Sequence, residues 1–149
     1  MAGVLNAMTI DVEDYFHVSA FMDAVSPETW SARESRVSAN TERLLDLFAE
    51  SKVKATFFVL GWVADRFPGL VRRIHEDGHE LASHSYDHGL VYAKTPATFR
   101  QDLRRAKAAI EDAAGVAVTG YRAPSYSVVE RSLWALDVLV DEGYTFDSS

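Results

Sequence analysis

The 149 residues are 48% hydrophobic and 25% charged, the balance of an ordinary globular chain long enough to bury one core. The net charge is −7 and no basic stripe appears, which argues against a nucleic-acid partner and leaves an uncharged glycan open. With no cysteine there is neither a disulfide framework nor a thiolate metal site, so a bound metal would rest on His, Asp or Glu.

The opening stretch MAGVLNAMTIDVEDYF lacks a basic segment followed by an apolar run, so no signal peptide is expected and the protein is placed in the cytoplasm. No stretch approaches the roughly 20 apolar residues of a membrane span. Along the chain, Val4 to Val12 reads as an apolar strand running into an acidic cluster. A loop follows from Ser19 to Ala39, holding Pro27 and Trp30. Asn40 is placed to cap a helix whose Leu44, Leu45, Leu47 and Phe48 keep helical spacing. Lys54 to Leu60 (KATFFVL) is a buried strand closed by Gly61. A helix is expected around Asp65 to Asp77, then Gly78 and a strand over His79 to Ser83. Thr95 caps a long amphipathic helix to Ala114, with Pro96 in its first turn. Val116 to Tyr121, Glu130 to Glu142 and Gly143 to Phe146 read as strand, helix and strand.

This alternation implies about five parallel βα units, an open sheet or part of a barrel. A complete (β/α) barrel needs about 250 residues, so the expectation is one domain over residues 1–149, truncated at its C-terminal side. The unpaired strand edge of an open barrel would favour homo-oligomers.

Polar residues gather at four strand ends, where α/β architectures bind their ligands. They are Asp11, Glu13 and Asp14; His84-Ser85-Tyr86-Asp87-His88; Arg122-Ala123-Pro124-Ser125-Tyr126; and Asp147. His-x-x-x-His puts two imidazoles on one side of a helical turn, as a divalent metal needs. A carboxylate from another strand completes a set of two histidines and one carboxylate, the outline of a metal-assisted amide hydrolase. Each feature has a plainer reading: a solvated helix face, a turn or cap, a surface ion pair. Their occurrence at the same end of successive units favours a site. His75 reads as solvated and His79 as fixing a turn. His17 is undecided between the site and packing against Tyr15 and Phe16. Trp30, Trp62 and Trp134 read as core or loop anchors, Trp30 within reach of a sugar face.

The segments TIDVED (Thr9 to Asp14), KATFFVLG (Lys54 to Gly61), GHELASHSYDH (Gly78 to His88) and GYRAPSYS (Gly120 to Ser127) resemble, in order, the polysaccharide deacetylases with the NodB homology domain, carbohydrate esterase family 4. DVEDYFHV resembles the bacterial subgroup associated with exopolysaccharide and exosortase clusters. The resemblance implies a distorted (β/α) barrel, here its N-terminal portion, and hydrolysis of N-acetyl, sometimes O-acetyl, groups on an exopolysaccharide. It also implies a divalent metal, zinc foremost. By position, Asp11 corresponds to the catalytic base, His84 and His88 to metal ligands, and Arg122 to the residue that orients the base. Pro124, Ser125 and Tyr126 fall in the substrate-binding segment. Here Val12 stands where most of the family has a second aspartate, so Glu13 and Asp14 both stay open as third ligand. Ser125 replaces the aromatic that usually follows the proline, and the family's general-acid histidine would lie beyond Ser149. Two alternatives remain: an amidohydrolase for a small cyclic amide, disfavoured by the presence of both metal histidines, and a fragment that only binds glycan.

Overall fold

The computed structural model describes residues 6–149; Val4 and Leu5 of the expected first strand lie outside them. Among the described residues β1 (Thr9–Val12), β2 (Thr56–Val59), β3 (Glu80–Ser83), β4 (Gly120–Tyr121) and β5 (Phe146–Asp147) form one sheet. Their order is sequential and every pairing parallel. Sequential parallel order is the wall of a (β/α) barrel, in which all strand carboxyl ends face one rim. The register is strict at that rim. Val12, Val59, Ser83 and Tyr121 pair in one row, so Glu13, His84 and Arg122 each occupy the first place beyond it.

Burial explains why these segments are strands. Phe57, Phe58 and Val59 of β2 are all buried, without the alternation of a sheet wetted on one side, because both faces of a barrel strand are covered. Phe57 and Val59 belong to the core that helices close, with Leu45, Ile74, Leu103 and Ile110. Phe58 packs under the Arg122 guanidinium, whose centre lies 4.1 Å from the ring centroid.

The helices depart from expectation in instructive places. Helix α1 spans Val37–Ser51, starting before Asn40, and buries Val37, Thr41, Leu45 and Phe48 along one stripe. The helix expected around 65–77 is two, α2 (Gly61–Arg66) and α3 (Pro68–Glu76). Pro68 supplies no N–H and drives Phe67 out of the helical region, to φ −129° and ψ 56°. Helix α4 (Pro96–Ala114) begins as expected, with Thr95 and Thr98 satisfying each other's backbone N–H groups. Helix α5 (Trp134–Asp141) starts after a 3-10 turn at Glu130–Ser132. The loop expected from Ser19 holds two 3-10 turns, Ser19–Phe21 and Pro27–Ala32. No helix among the described residues is long and apolar enough to cross a membrane.

Candidate active site

Three side chains at the rim face one point. His84 is buried, and its Nδ1 lies 2.8 Å from the Arg122 carbonyl. A carbonyl only accepts, so Nδ1 carries the proton and Nε2 keeps a free lone pair. That Nε2 lies 3.8 Å from Glu13 Oε2, and His88 Nε2 lies 2.9 Å from the same oxygen. Ligand atoms of Glu13, His84 and His88 all fall within 4.8 Å of one another.

Glu13 Oε2 and His88 Nδ1 are buried yet take part in no well-formed hydrogen bond. The 2.9 Å approach of His88 to Glu13 is therefore a convergence of lone pairs more than a donor–acceptor bond. Such an arrangement is costly unless a cation shares it, and two imidazoles with one carboxylate suit zinc. Burial pushes the Glu13 carboxyl up, but the close approach of the His88 imidazole, with His84 and His17 nearby, outweighs it and holds the carboxyl below its usual range. Burial holds His84 below the usual imidazole range, against the pull of Asp11 and Glu13. Both shifts favour the forms that bind a metal.

Asp11 stands beside this cluster. Its Oδ1 accepts a 2.8 Å hydrogen bond from Arg122 Nη1, while Oδ2 lies 4.0 Å from His84 Nε2. The buried Arg122 is itself held. Its Nη2 donates to Thr9 Oγ1 at 3.1 Å and Ser148 Oγ at 2.8 Å, and its Nε to the Ser148 carbonyl at 3.2 Å. One carboxylate oxygen of Asp11 is thereby fixed and the other faces the histidines.

Asp14, the other candidate third ligand, is turned away from the cluster and does different work. Its Oδ2 accepts from Ser35 Oγ at 2.6 Å, Arg36 N at 2.8 Å and Val37 N at 3.2 Å. Its Oδ1 accepts from Tyr15 N at 3.1 Å. Asp14 caps α1, the function assigned from sequence to Asn40. The physical reason is alternation: Asp11 and Glu13 share one side of an extended chain and Asp14 takes the other.

The histidine pair is also placed differently from the expectation of a helical turn. Residues 84–90 are a loop, with Ser85 at φ 66° and His88 at φ 59°. The imidazoles meet because the chain turns back on itself, their ring centroids 5.4 Å apart. Pro124 is buried, whereas Ser125 and Tyr126 are exposed, both at φ 51°. Ser125 Oγ lies 2.8 Å from Ser19 Oγ, tying the segment after β4 to the 3-10 turn at Ser19–Phe21. Asp147 is exposed and accepts from Ser149 Oγ at 2.7 Å, outside the cluster.

His17 is buried beside the cluster. Its Nδ1 accepts the Asp14 N–H at 2.8 Å, and its ring lies 4.4 Å from Trp30 and 4.9 Å from Trp62. Burial holds it down at about 4, so it is neutral near neutral pH. Trp30 is buried against it. His17, Met22, Val25 and Trp30 wall a cavity of about 200 Å³ that reaches His88. His75 is exposed, and His79 is buried with its Nδ1 accepting the Ala55 N–H at 3.2 Å.

Residues 26–146 match the family model for polysaccharide deacetylase. A peptidoglycan-N-acetylglucosamine deacetylase of Bacillus cereus is 33% identical over 98 residues, covering 65% of this chain and 36% of that protein. One of Listeria monocytogenes is 40% identical over 97 residues, covering 64% of this chain and 20% of that protein. The crystal structure of a Mycobacterium smegmatis protein assigned to the polysaccharide deacetylases superposes with a TM-score of 0.79 at 31% identity, over 95% of this chain and 49% of its own. The chain thus spans half or less of the length of these relatives. Matched family motifs, sequential parallel sheet and rim chemistry agree: the chain belongs to the polysaccharide deacetylases of the NodB type, carbohydrate esterase family 4.

Proposed function

We propose that the chain is the metal-holding and base-bearing portion of a polysaccharide N-deacetylase, with residues 1–149 forming the N-terminal part of one NodB-type domain. The reaction is hydrolysis of the amide of an N-acetylated sugar to acetate and a free amine, the polymer being an exopolysaccharide. The observation that carries the reading is the placement of the Asp11–Arg122 pair beside three converging ligand atoms of Glu13, His84 and His88.

A zinc ion held by Glu13, His84 and His88 would supply Lewis-acid polarisation of the acetyl carbonyl. The chain's own residues supply the rest. Asp11 Oδ2, the oxygen left free by Arg122, accepts the proton of the attacking water. Arg122 keeps that carboxylate at one orientation through its fixed fork, so the base need not reorganise during the reaction. The Arg122 carbonyl holds His84 in the tautomer that presents Nε2. Tyr126, 64% exposed on the rim, offers a ring face on which a sugar can rest.

Acetate release tests this. Purified full-length protein with zinc should deacetylate N-acetylglucosamine oligomers or an N-acetylated exopolysaccharide, and His84→Ala should lose both zinc and activity. Zinc-loaded protein that releases acetate from none of these glycans would sink the reading.

A further inference from the structure

The loop that carries both histidines does not hold its shape by itself. Ser85 and His88 are left-handed at φ 66° and 59°, a strained conformation for residues with a Cβ. Surrounding elements must impose it. The first turn of α2 does part of this: Gly61 N donates to the Ser85 carbonyl and Trp62 N to the Tyr86 carbonyl, both at 2.9 Å. Only glycine allows that approach, since a Cβ at residue 61 would fall 2.6 Å from the Tyr86 ring and 2.8 Å from the Ala106 backbone. Ser85 Oγ lies 2.8 Å from the Tyr121 hydroxyl.

Between the two histidines the backbone is gripped by a residue that site chemistry does not require. Tyr86 N donates to Asp102 Oδ1 at 3.3 Å. Asp102 lies on α4 among the buried positions Phe99, Leu103, Ala106 and Ile110, where an aliphatic side chain would be the ordinary choice. Its charge is met by Lys94 Nζ, 2.8 Å from the same oxygen, with both side chains largely buried. Lys94 Nζ also lies 3.5 Å from Asp87 Oδ1, which accepts the Gly89 N–H at 3.2 Å. Lys94 passes so close over Gly89 that a Cβ there would sit 2.9 Å from Lys94 Cε. The pair thus touches the loop at Tyr86, Asp87 and Gly89, on both sides of His88.

Burying an ion pair contributes little to stability compared with apolar packing, so its presence here calls for a gain of another kind. We infer that Asp102, balanced by Lys94, is a positioning residue: it holds the 84–89 loop so that His84 and His88 both aim Nε2 at Glu13. The inference rests on the metal-site reading of Glu13, His84 and His88.

The test compares full-length wild type with Asp102→Leu, Asp102→Asn, Ile110→Ala and His84→Ala. Zinc affinity of the folded protein is read by competition with a chromogenic chelator, and stability of the metal-free protein by urea unfolding. Asp102→Leu is expected to bind zinc about 10–100-fold more weakly, the loss typical of outer partners of metal ligands. Asp102→Asn, which keeps an oxygen for the Tyr86 N–H but no charge for Lys94, falls between. Ile110→Ala, a core truncation on the same helix, lowers stability and leaves zinc affinity at the wild-type value. A purely structural Asp102 would behave like Ile110, and wild-type zinc affinity in folded Asp102→Leu overturns the inference. If Asp102→Leu does not fold, unchanged affinity in Asp102→Asn overturns it instead. His84→Ala binding zinc as tightly as wild type marks a different failure, that of the metal-site reading itself.

Discussion

Glu13 and Asp14 are adjacent carboxylates with opposite expected responses to removal. Asp14 Oδ2 serves three donors, two of them the N–H groups of Arg36 and Val37 at the start of α1. Losing a side-chain cap costs about 0.5–2 kcal/mol, and leaving buried donors unserved by a charged acceptor adds a comparable amount, so Asp14→Ala should cost about 3 kcal/mol. Glu13 Oε2 makes no well-formed hydrogen bond, so Glu13→Gln should change metal-free stability by less than about 1 kcal/mol. Zinc affinity should reverse the order. Glu13→Gln removes a proposed ligand and should lose more than the roughly 10–100-fold typical of outer partners, whereas folded Asp14→Ala should stay within that range of wild type. Urea unfolding under chelator, followed by far-UV circular dichroism, gives the first quantity and chelator competition the second. Asp14→Ala that is fully stable yet empty of zinc, or Glu13→Gln that binds zinc normally, would refute the division of labour.

Asp11→Asn should lower deacetylation by about 10²–10⁴-fold, the usual contribution of a general base, with zinc content unchanged; near wild-type turnover would place the base elsewhere. Arg122→Met should lower kcat while the zinc site persists, because it releases Asp11 but leaves the backbone carbonyl that orients His84; a loss confined to KM would argue against an orienting role. His17 sits near 4 in the folded protein instead of 6.5, so the unfolded chain takes up a proton first as pH falls. Its contribution is complete above 6.5 and is lost between 6.5 and about 4, amounting to about 3 kcal/mol at the lower end. The difference in urea stability between wild type and His17→Phe should shrink by that amount across the window; a constant difference would show that His17 is not held neutral.

The rim was legible because its chemistry follows directly on strands. Asp11, His84 and Arg122 each end or immediately follow an apolar run, and parallel pairing aligns those positions. Alternation along the extended chain also carried a usable signal for Glu13 over Asp14, since i and i+2 share a side. Other features escaped for identifiable reasons. The α1 cap arrives from 22 residues upstream, so local capping rules favoured Asn40 instead. The spacing of His84 and His88 fits a helical turn as well as a loop, and only the left-handed Ser85 and His88 decide between them. Pro68 was visible in the sequence, and its effect on Phe67 is what splits the expected helix. Nothing in the sequence sets Asp102 apart from the other charged residues of α4 except its place between Phe99 and Leu103, on the apolar stripe.

Asp14 joins the two ends of the excursion from residue 15 to residue 35, accepting from Tyr15 N at one end and Ser35 Oγ at the other. The chain between returns to one carboxylate that belongs neither to the Asp11–Arg122 pair nor to the Glu13, His84 and His88 cluster. Doubling the length of such a closed excursion costs only about 0.6 kcal/mol in closure entropy. The excursion also carries Met22, Val25 and Trp30, which wall the cavity reaching His88. The molecule thus closes the wall of the cavity and the chemical rim through different residues. Variation confined to residues 18–34 can remodel what approaches the histidines while the reacting groups keep their geometry, a route by which one scaffold can diversify its selectivity without re-evolving its chemistry.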